Sequence, residues 1–339
     1  MIKVGGVRVK IVLDCMGNDN GPEVMVEGAK QAMSVNDDLN IIFIGNKEKI
    51  DKLLKDSYKD RITVINATEE ITNNESPVKA IRTKKDASLV KGMNLLKEGK
   101  GDAIISAGST GALLAGAVFI VGRLKGIQRA ALTTVYPTKN KPSLLLDIGA
   151  NVDCKPEFLE QFAIMGSVYA DKILNRKNPK IGLANIGAEA KKGNSLVKEA
   201  YDKLIDLDNI NFIGNIEVRD LMKGEVDVIV CDGFVGNVIL KTTEGTALTI
   251  FDLLKETFLS KTIYKIGALL LKSGLKTFKR KFDYSEYGAA PLLGVKAPVF
   301  KAHGSSNSKS IKNAILCAVD YLNKDIINTI QKEIEREEK

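Results

Sequence analysis

Over 339 residues, 50 basic and 42 acidic side chains leave a net charge of +8, with 44% hydrophobic, 6% aromatic and 27% charged content. This is the composition of a folded globular chain that can bury a large core without disulfides or a structural metal, which excludes collagen-like, disordered and mini-protein architectures. Cys15, Cys154, Cys231 and Cys317 stand far apart with no CxxC pair, and His303 is the only histidine. A zinc site is therefore not expected, a Ser-His-Asp relay would have to rest on His303, and reduced thiols in a cytoplasmic protein are the better reading.

The first fourteen residues carry Lys3, Arg8 and Lys10 among valines and reach Asp14 before a long apolar run can form, which reads as a strand and not a signal peptide. Short β-branched runs follow at 7–13, 41–44, 62–65, 103–106, 131–135, 144–148, 181–185, 211–214 and 226–230. Between most of them lie helix-length stretches with apolar residues three and four apart. That alternation predicts crossover units, hence a doubly wound α/β fold with a largely parallel sheet covered on both faces. No linker or repeat divides residues 1–339, so we expect one α/β unit, at most two lobes sharing the sheet, closed by a helix at 308–332.

Such sheets place their chemistry at the carboxyl ends of strands. The first loop there, Asp14-Cys-Met-Gly17-Asn-Asp19-Asn-Gly21-Pro22, offers an acidic pair that orients a substrate or a lysine, or else forms an Asx turn and helix cap. The second, Ser106-Ala-Gly108-Ser109-Thr110-Gly111, opens an apolar helix at 112–121; its small residues, hydroxyls and N–H groups suit phosphate, although it has no Walker lysine and no GxGxxG occurs in the chain. The third holds Asp147, Asn151 and Asp153; the fourth holds Lys191 and Lys192, and an ammonium can hold phosphate. In the fifth, Asp232 precedes a long helix in which Asn237 is either an N-cap or a donor to a developing oxyanion. The sixth places His303 and Ser305 before the last helix. There is no GxSxG elbow.

Charge is concentrated in two places. Residues 257–282 carry Lys261, Lys265, Lys272, Lys276, Lys279, Arg280 and Lys281 with no acid, and 77–100 carry seven basic residues against Asp86 and Glu98. Nucleic-acid motifs are missing and aromatics are sparse, so an acidic protein and an anionic lipid surface are the expected partners. As one helix, 257–282 places Lys261, Lys265, Lys272, Lys276 and Lys279 in a narrow arc opposite Leu259, Ile263, Ile266 and Leu270, the pattern of an interfacial amphipathic helix; Gly274 could split it into a hairpin. Those leucines and isoleucines equally suit a core or dimer interface. The segment is too interrupted by lysine to span a bilayer.

Taken in order from about residue 9 to about residue 320, Asp14-x-Met-Gly, Ser106-Ala-Gly-x-Thr-Gly, Gly122-Arg-x-Lys-Gly126, Asp147-x-Gly-Ala-Asn-x-Asp, Lys191-Lys-Gly-Asn, Asp232-Gly-Phe-x-Gly-Asn and Lys296-Ala-Pro-Val-x-Lys-Ala-His-Gly-Ser-Ser306 closely resemble the bacterial phosphate acyltransferases of phospholipid synthesis. The first loop departs from the family in lacking a histidine. The resemblance implies transfer of a long-chain acyl group from acyl carrier protein to inorganic phosphate, a fold similar to the isocitrate/isopropylmalate dehydrogenases, a homodimer, peripheral membrane association, and no metal or organic cofactor. It implies catalytic roles for Lys192 and Asn237. Beside it stand our readings of Ser106, Gly108, Ser109, Thr110, Gly111, His303 and Ser305 as phosphate-binding, of Asp14, Asp147, Asn151 and Asp232 as substrate-orienting, and of Arg82, Lys84 and Lys85 as a docking surface for the acidic carrier. An acetyltransferase-like enzyme using acyl-CoA and a non-enzymatic membrane adaptor are the alternatives.

Overall fold

Eleven strands hydrogen-bond into one sheet in a computed structural model of the chain, described for residues 8–55, 58–281 and 288–337. In chain order they are β1 (Val9–Asp14), β2 (Leu39–Gly45), β3 (Ile62–Asn66), β4 (Ala103–Ser106), β5 (Ala131–Tyr136), β6 (Ser143–Leu146), β7 (Lys180–Asn185), β8 (Asn211–Glu217), β9 (Val228–Val230), β10 (Ala290–Leu293) and β11 (Val299–Lys301). Their order across the sheet is β3-β2-β1-β4-β11-β10-β5-β6-β9-β7-β8. From β3 to β11 every neighbouring pair is parallel, as is every pair from β6 to β8. Three antiparallel pairs, β11 with β10, β10 with β5 and β5 with β6, join these blocks and reverse the strand direction between them.

Alternation along the strands explains why both faces are covered. Ile11 and Leu13 join one apolar cluster and Val12 the other; Leu144 and Leu146 divide from Leu145 in the same way. The first cluster is roofed by the helices Gly21–Met33, Pro156–Lys172, Ser195–Ile205 and Ser308–Asn323, the second by Pro77–Thr83, Ser88–Lys97 and Thr110–Gly116.

All nine expected strands form, with ends shifted by a few residues; Val7 lies outside the described residues. β10 and β11 were not expected, because Pro291 and Pro298 make that stretch read as loop. Three helix expectations also need correction. The helix expected at 308–332 is two helices, Ser308–Asn323 and Ile326–Glu337, separated where Asp325 takes a positive φ of 51°. The one expected at 112–121 starts at Thr110 and loosens into a π turn over Ala117–Val121.

The basic segment 257–282 is likewise not one helix. Gly233–Ser260 ends at Lys261, whose backbone is extended, and Thr262–Lys281 folds back, with Phe251 edge-on to Phe278 at 5.5 Å. The hairpin turns at Lys261 and not at Gly274, and Leu259 belongs to the preceding helix. Leu259, Ile263, Ile266 and Leu270 are nevertheless all more than half exposed. Phe282 and the side chains of Lys279, Arg280 and Lys281 lie outside the described residues.

Candidate active site

Asp14, at the end of β1, is buried, and its carboxylate accepts hydrogen bonds from Ser88 Oγ at 2.6 Å, Ser106 Oγ at 2.7 Å and the Met16 N–H at 3.1 Å. Burial pushes its pKa up, and the serine hydroxyls oppose that shift. Ser106 Oγ in turn accepts the Gly108 N–H at 3.2 Å. The first two loops touch directly: Gly17, at φ +82°, lies so close that a Cβ there would stand 2.7 Å from Gly108 Cα. The sixth loop packs on the first through the Asp19 N–H to the Gly304 carbonyl and through Asn20 Nδ2 to the carbonyls of Ser305 and Ser306. Three loops from neighbouring strands β1, β4 and β11 thus form one cluster, in which the Asp14 carboxylate, expected to orient a substrate, is engaged by protein donors.

Across from it, Asp147 anchors a second cluster. Its buried carboxylate accepts the N–H groups of Leu132, Gly149, Ala150 and Asn151 and the Asn151 side-chain amide, at 2.7 to 3.2 Å. Burial raises its pKa as well. Asn151 Nδ2 also reaches the Ala130 carbonyl at 2.8 Å, so both residues brace this loop. The helix Gly233–Ser260 starts against it so closely that a Cβ on Gly236 would overlap the Asp147 carbonyl. Asp232 caps that helix, its Oδ1 accepting the Val235 N–H at 2.9 Å. Asn237 lies a turn further on and is not the cap, which removes the cap reading of that residue.

Between the clusters is a cavity of about 490 Å³. Gly108, Thr110, Asn237 and His303 line it, so four of the expected site residues meet. Others are used elsewhere: Ser106 holds Asp14 and Gly108, Ser109 caps the Thr110 helix through the Ala112 N–H at 3.5 Å, Gly111 packs on Pro77, and Ser305 Oγ pairs with His303 Nδ1 at 2.8 Å. Because the Ser305 N–H also donates to His303 Nδ1, at 3.2 Å, the ring carries its proton on Nε2 when neutral. Burial, with Lys241 and Lys301 nearby, lowers its pKa.

Lys192 does not line the cavity. Its exposed side chain leaves the turn after β7, which Asn185 Nδ2 holds by bonding the Lys192 carbonyl at 3.1 Å. β7 and β9 are parallel neighbours, so the Lys192 turn and the start of the Asn237 helix issue from adjacent strand ends.

Two cavity lysines were missed. Lys241 follows Asn237 by one turn and is ion-paired with Glu244 at 2.7 Å. Lys301 ends β11, and its Nζ donates to the Ala107 carbonyl at 3.1 Å and to its neighbour's, Ala302. Burial lowers its pKa to about 8 against the opposing pull of Asp14 and Asp19. Lys301 stands in the motif run containing His303; only recognition of β11 would have marked it as a strand-end residue.

Leu132, Leu144, Ile148, Ile173 and Leu174 form an apolar part of the cavity wall. All four thiols are pushed up by burial and stay protonated. Of the three residues expected to dock a carrier, Lys84 is ion-paired with Glu75 at 2.7 Å and Arg82 lies over the Phe119 ring at 5.8 Å, while Lys85 is exposed. Among the described residues no helix is long and apolar enough to cross a membrane.

The sequence profile of a family described as fatty acid synthesis protein matches residues 9–329. A phosphate acyltransferase of Clostridium acetobutylicum is 53% identical over 327 residues, 96% of this chain and 98% of the relative. One from Alkaliphilus oremlandii is 56% identical over 326 residues, 96% and 97% of the two chains. Among solved structures, a Streptococcus pyogenes phosphotransacetylase superposes with a TM-score of 0.61 at 21% identity, covering 95% of this chain and 96% of that one. A branched-chain phosphotransacylase of Enterococcus faecalis gives 0.57 at 16%, covering 92% and 98%. These two likenesses bear out the doubly wound fold.

Proposed function

The chain belongs to the fatty acid synthesis protein family, and from that membership we propose that it transfers a long-chain acyl group from acyl carrier protein to inorganic phosphate, yielding acyl phosphate for phospholipid synthesis. The observation that carries this reading is the cavity in which Asn237 and His303 meet the Gly108–Thr110 loop beside an apolar wall. A phosphate oxygen attacks the thioester carbonyl carbon, the carbonyl oxygen becomes an oxyanion, and its collapse breaks the C–S bond. The carrier's thiolate leaves and takes a proton from solvent. Phosphate is already nucleophilic at neutral pH, so the protein's work is to hold a dianion against the thioester and stabilise the oxyanion. Thiols whose pKa values desolvation raises, Cys317 in the cavity wall included, agree with direct attack rather than an acyl-enzyme.

In this reading the Asn237 amide donates to the thioester oxygen, and Gly108, Thr110 and His303 border the phosphate. Lys192, from the strand end next to the Asn237 helix, neutralises charge as the substrates come together. The apolar wall receives the first methylenes of the acyl chain, each worth about 0.8 kcal/mol when buried. The enzyme works without an organic cofactor, as a cytoplasmic homodimer held at the membrane surface by the 233–281 hairpin. Carrier protein docks on Arg82 and Lys85, with Lys84 restrained by Glu75. Comparing acyl phosphate formation from the same acyl group on carrier protein and on CoA tests the donor: a preference for CoA would replace this reading with the acetyltransferase-like one.

A further inference from the structure

We propose that Lys301 is the cation that binds the phosphate nucleophile inside the cavity. An ammonium has three N–H donors. The carbonyls of Ala107 and Ala302 take two of those on Lys301, which fixes Nζ at the junction of the second and sixth loops and leaves one donor for the cavity. The other cavity lysine, Lys241, is ion-paired with Glu244, whereas among the described residues the partners of Lys301 Nζ are backbone carbonyls, with Asp14 and Asp19 acting on it through space. Ala107 is next to Gly108, whose N–H is held by Ser106, itself fixed by Asp14. An anion seated against this loop therefore meets an ammonium already fixed in place, with one N–H turned to the cavity and the charge supplied by Lys301. This inference rests on the acyl-transfer reading, which it deepens by naming the group that recognises phosphate.

The groups facing Lys301 are Asp14 on β1, Asp19 in the first loop, Lys241 on the Asn237 helix and His303 on its own loop. Burial outweighs the two aspartates and brings its pKa to about 8. The ammonium that binds an anion is thus present below that pH and lost as pH rises through it. A neutral amine still has two N–H donors for Ala107 and Ala302, so a merely structural lysine would give no pH dependence specific to phosphate.

The experiment compares wild type, Lys301→Gln and Lys301→Arg by steady-state kinetics with acyl carrier protein thioester and inorganic phosphate from pH 6.5 to about 9.5. At pH 7, Lys301→Gln should raise KM for phosphate about 10- to 100-fold, the effect of losing a charged hydrogen bond, with KM for the acyl donor unchanged. Wild-type kcat/KM for phosphate should fall as pH climbs past about 8, and Lys301→Arg should abolish that fall because its guanidinium stays charged. Phosphate's own ionisation is common to all three proteins. An unchanged phosphate KM in a folded Lys301→Gln, or an alkaline fall that persists in Lys301→Arg, overturns the inference. Should the variants not fold, the rise in Tm that inorganic phosphate gives wild type without any acyl donor decides: it should be larger at pH 7 than at pH 9.5, and equal rises overturn the inference. Phosphate protection without acyl phosphate production would instead strike the acyl-transfer reading alone.

Discussion

Asp232 and Asn237 stand in the opening turns of one helix, and their side chains face different partners. Asp232→Ala removes the cap and should cost about 0.5–2 kcal/mol of stability, whereas Asn237→Ser should leave Tm unchanged and lower kcat by about 100-fold, the effect of losing an oxyanion donor. Melting temperature and kcat on both variants check this; a normal kcat for Asn237→Ser removes Asn237 from the reaction. Lys192→Ala should lower turnover tens- to thousand-fold without unfolding the protein, since its side chain is exposed. Asp14 permits a prediction about pH. Burial raises its pKa in the folded state, so the fold holds that proton more tightly than the unfolded chain does. Stability from this group is full at low pH and declines as pH rises from about 4 through the folded pKa. Asp14→Asn removes this titration, so the variant's Tm minus that of wild type should increase from pH 4 to pH 7. A difference that stays constant with pH would show that Asp14 does not titrate in this way.

The strand-end loops and the helices they open were largely legible, because β-branched runs, glycines and cap residues report on local backbone. What was hidden is tertiary. β10 and β11 depend on partners at the centre of the sheet, which proline-containing segments do not announce, and Lys301 was hidden with them. The division of labour within the Ser106–Gly111 loop was equally invisible: Ser106 and Gly108 are two residues apart, yet one is buried on Asp14 and the other lines the cavity. Periodicity does place lysines and apolar residues on opposite sides of Thr262–Lys281, but it cannot show that the chain breaks at Lys261. Ile263 and Leu270 are 67% and 80% exposed, so charge at either should leave the fold intact. Sedimentation with anionic and zwitterionic vesicles should find wild type bound to the anionic ones and Ile263→Glu, Leu270→Glu largely free. If the folded double variant binds like wild type, this hairpin is not the membrane contact; if neither binds but the variant changes oligomeric state, its face is an interface between copies.

The net charge of +8 overstates how basic the surface around residues 77–100 is, since folding brings Glu75 onto Lys84 and pairs Lys91 with Asp86. Arg82 and Lys85 remain for an acidic partner, and reversing both to glutamate should raise KM for acyl carrier protein thioester while sparing kcat. Wild-type KM should also climb with salt as screening shortens the reach of these charges. A KM indifferent to both changes would move the docking site elsewhere. The cavity between the loop clusters and the exposed hairpin are the features on which the proposed transfer, from carrier protein to phosphate beside a lipid surface, rests. The most direct measurement is to incubate the purified chain with acyl carrier protein thioester and inorganic phosphate and to quantify acyl phosphate and free carrier. Equal amounts of the two products, formed only when phosphate is present and much reduced by Asn237→Ala, are predicted; carrier released without acyl phosphate, or no turnover by the folded chain, would contradict the account.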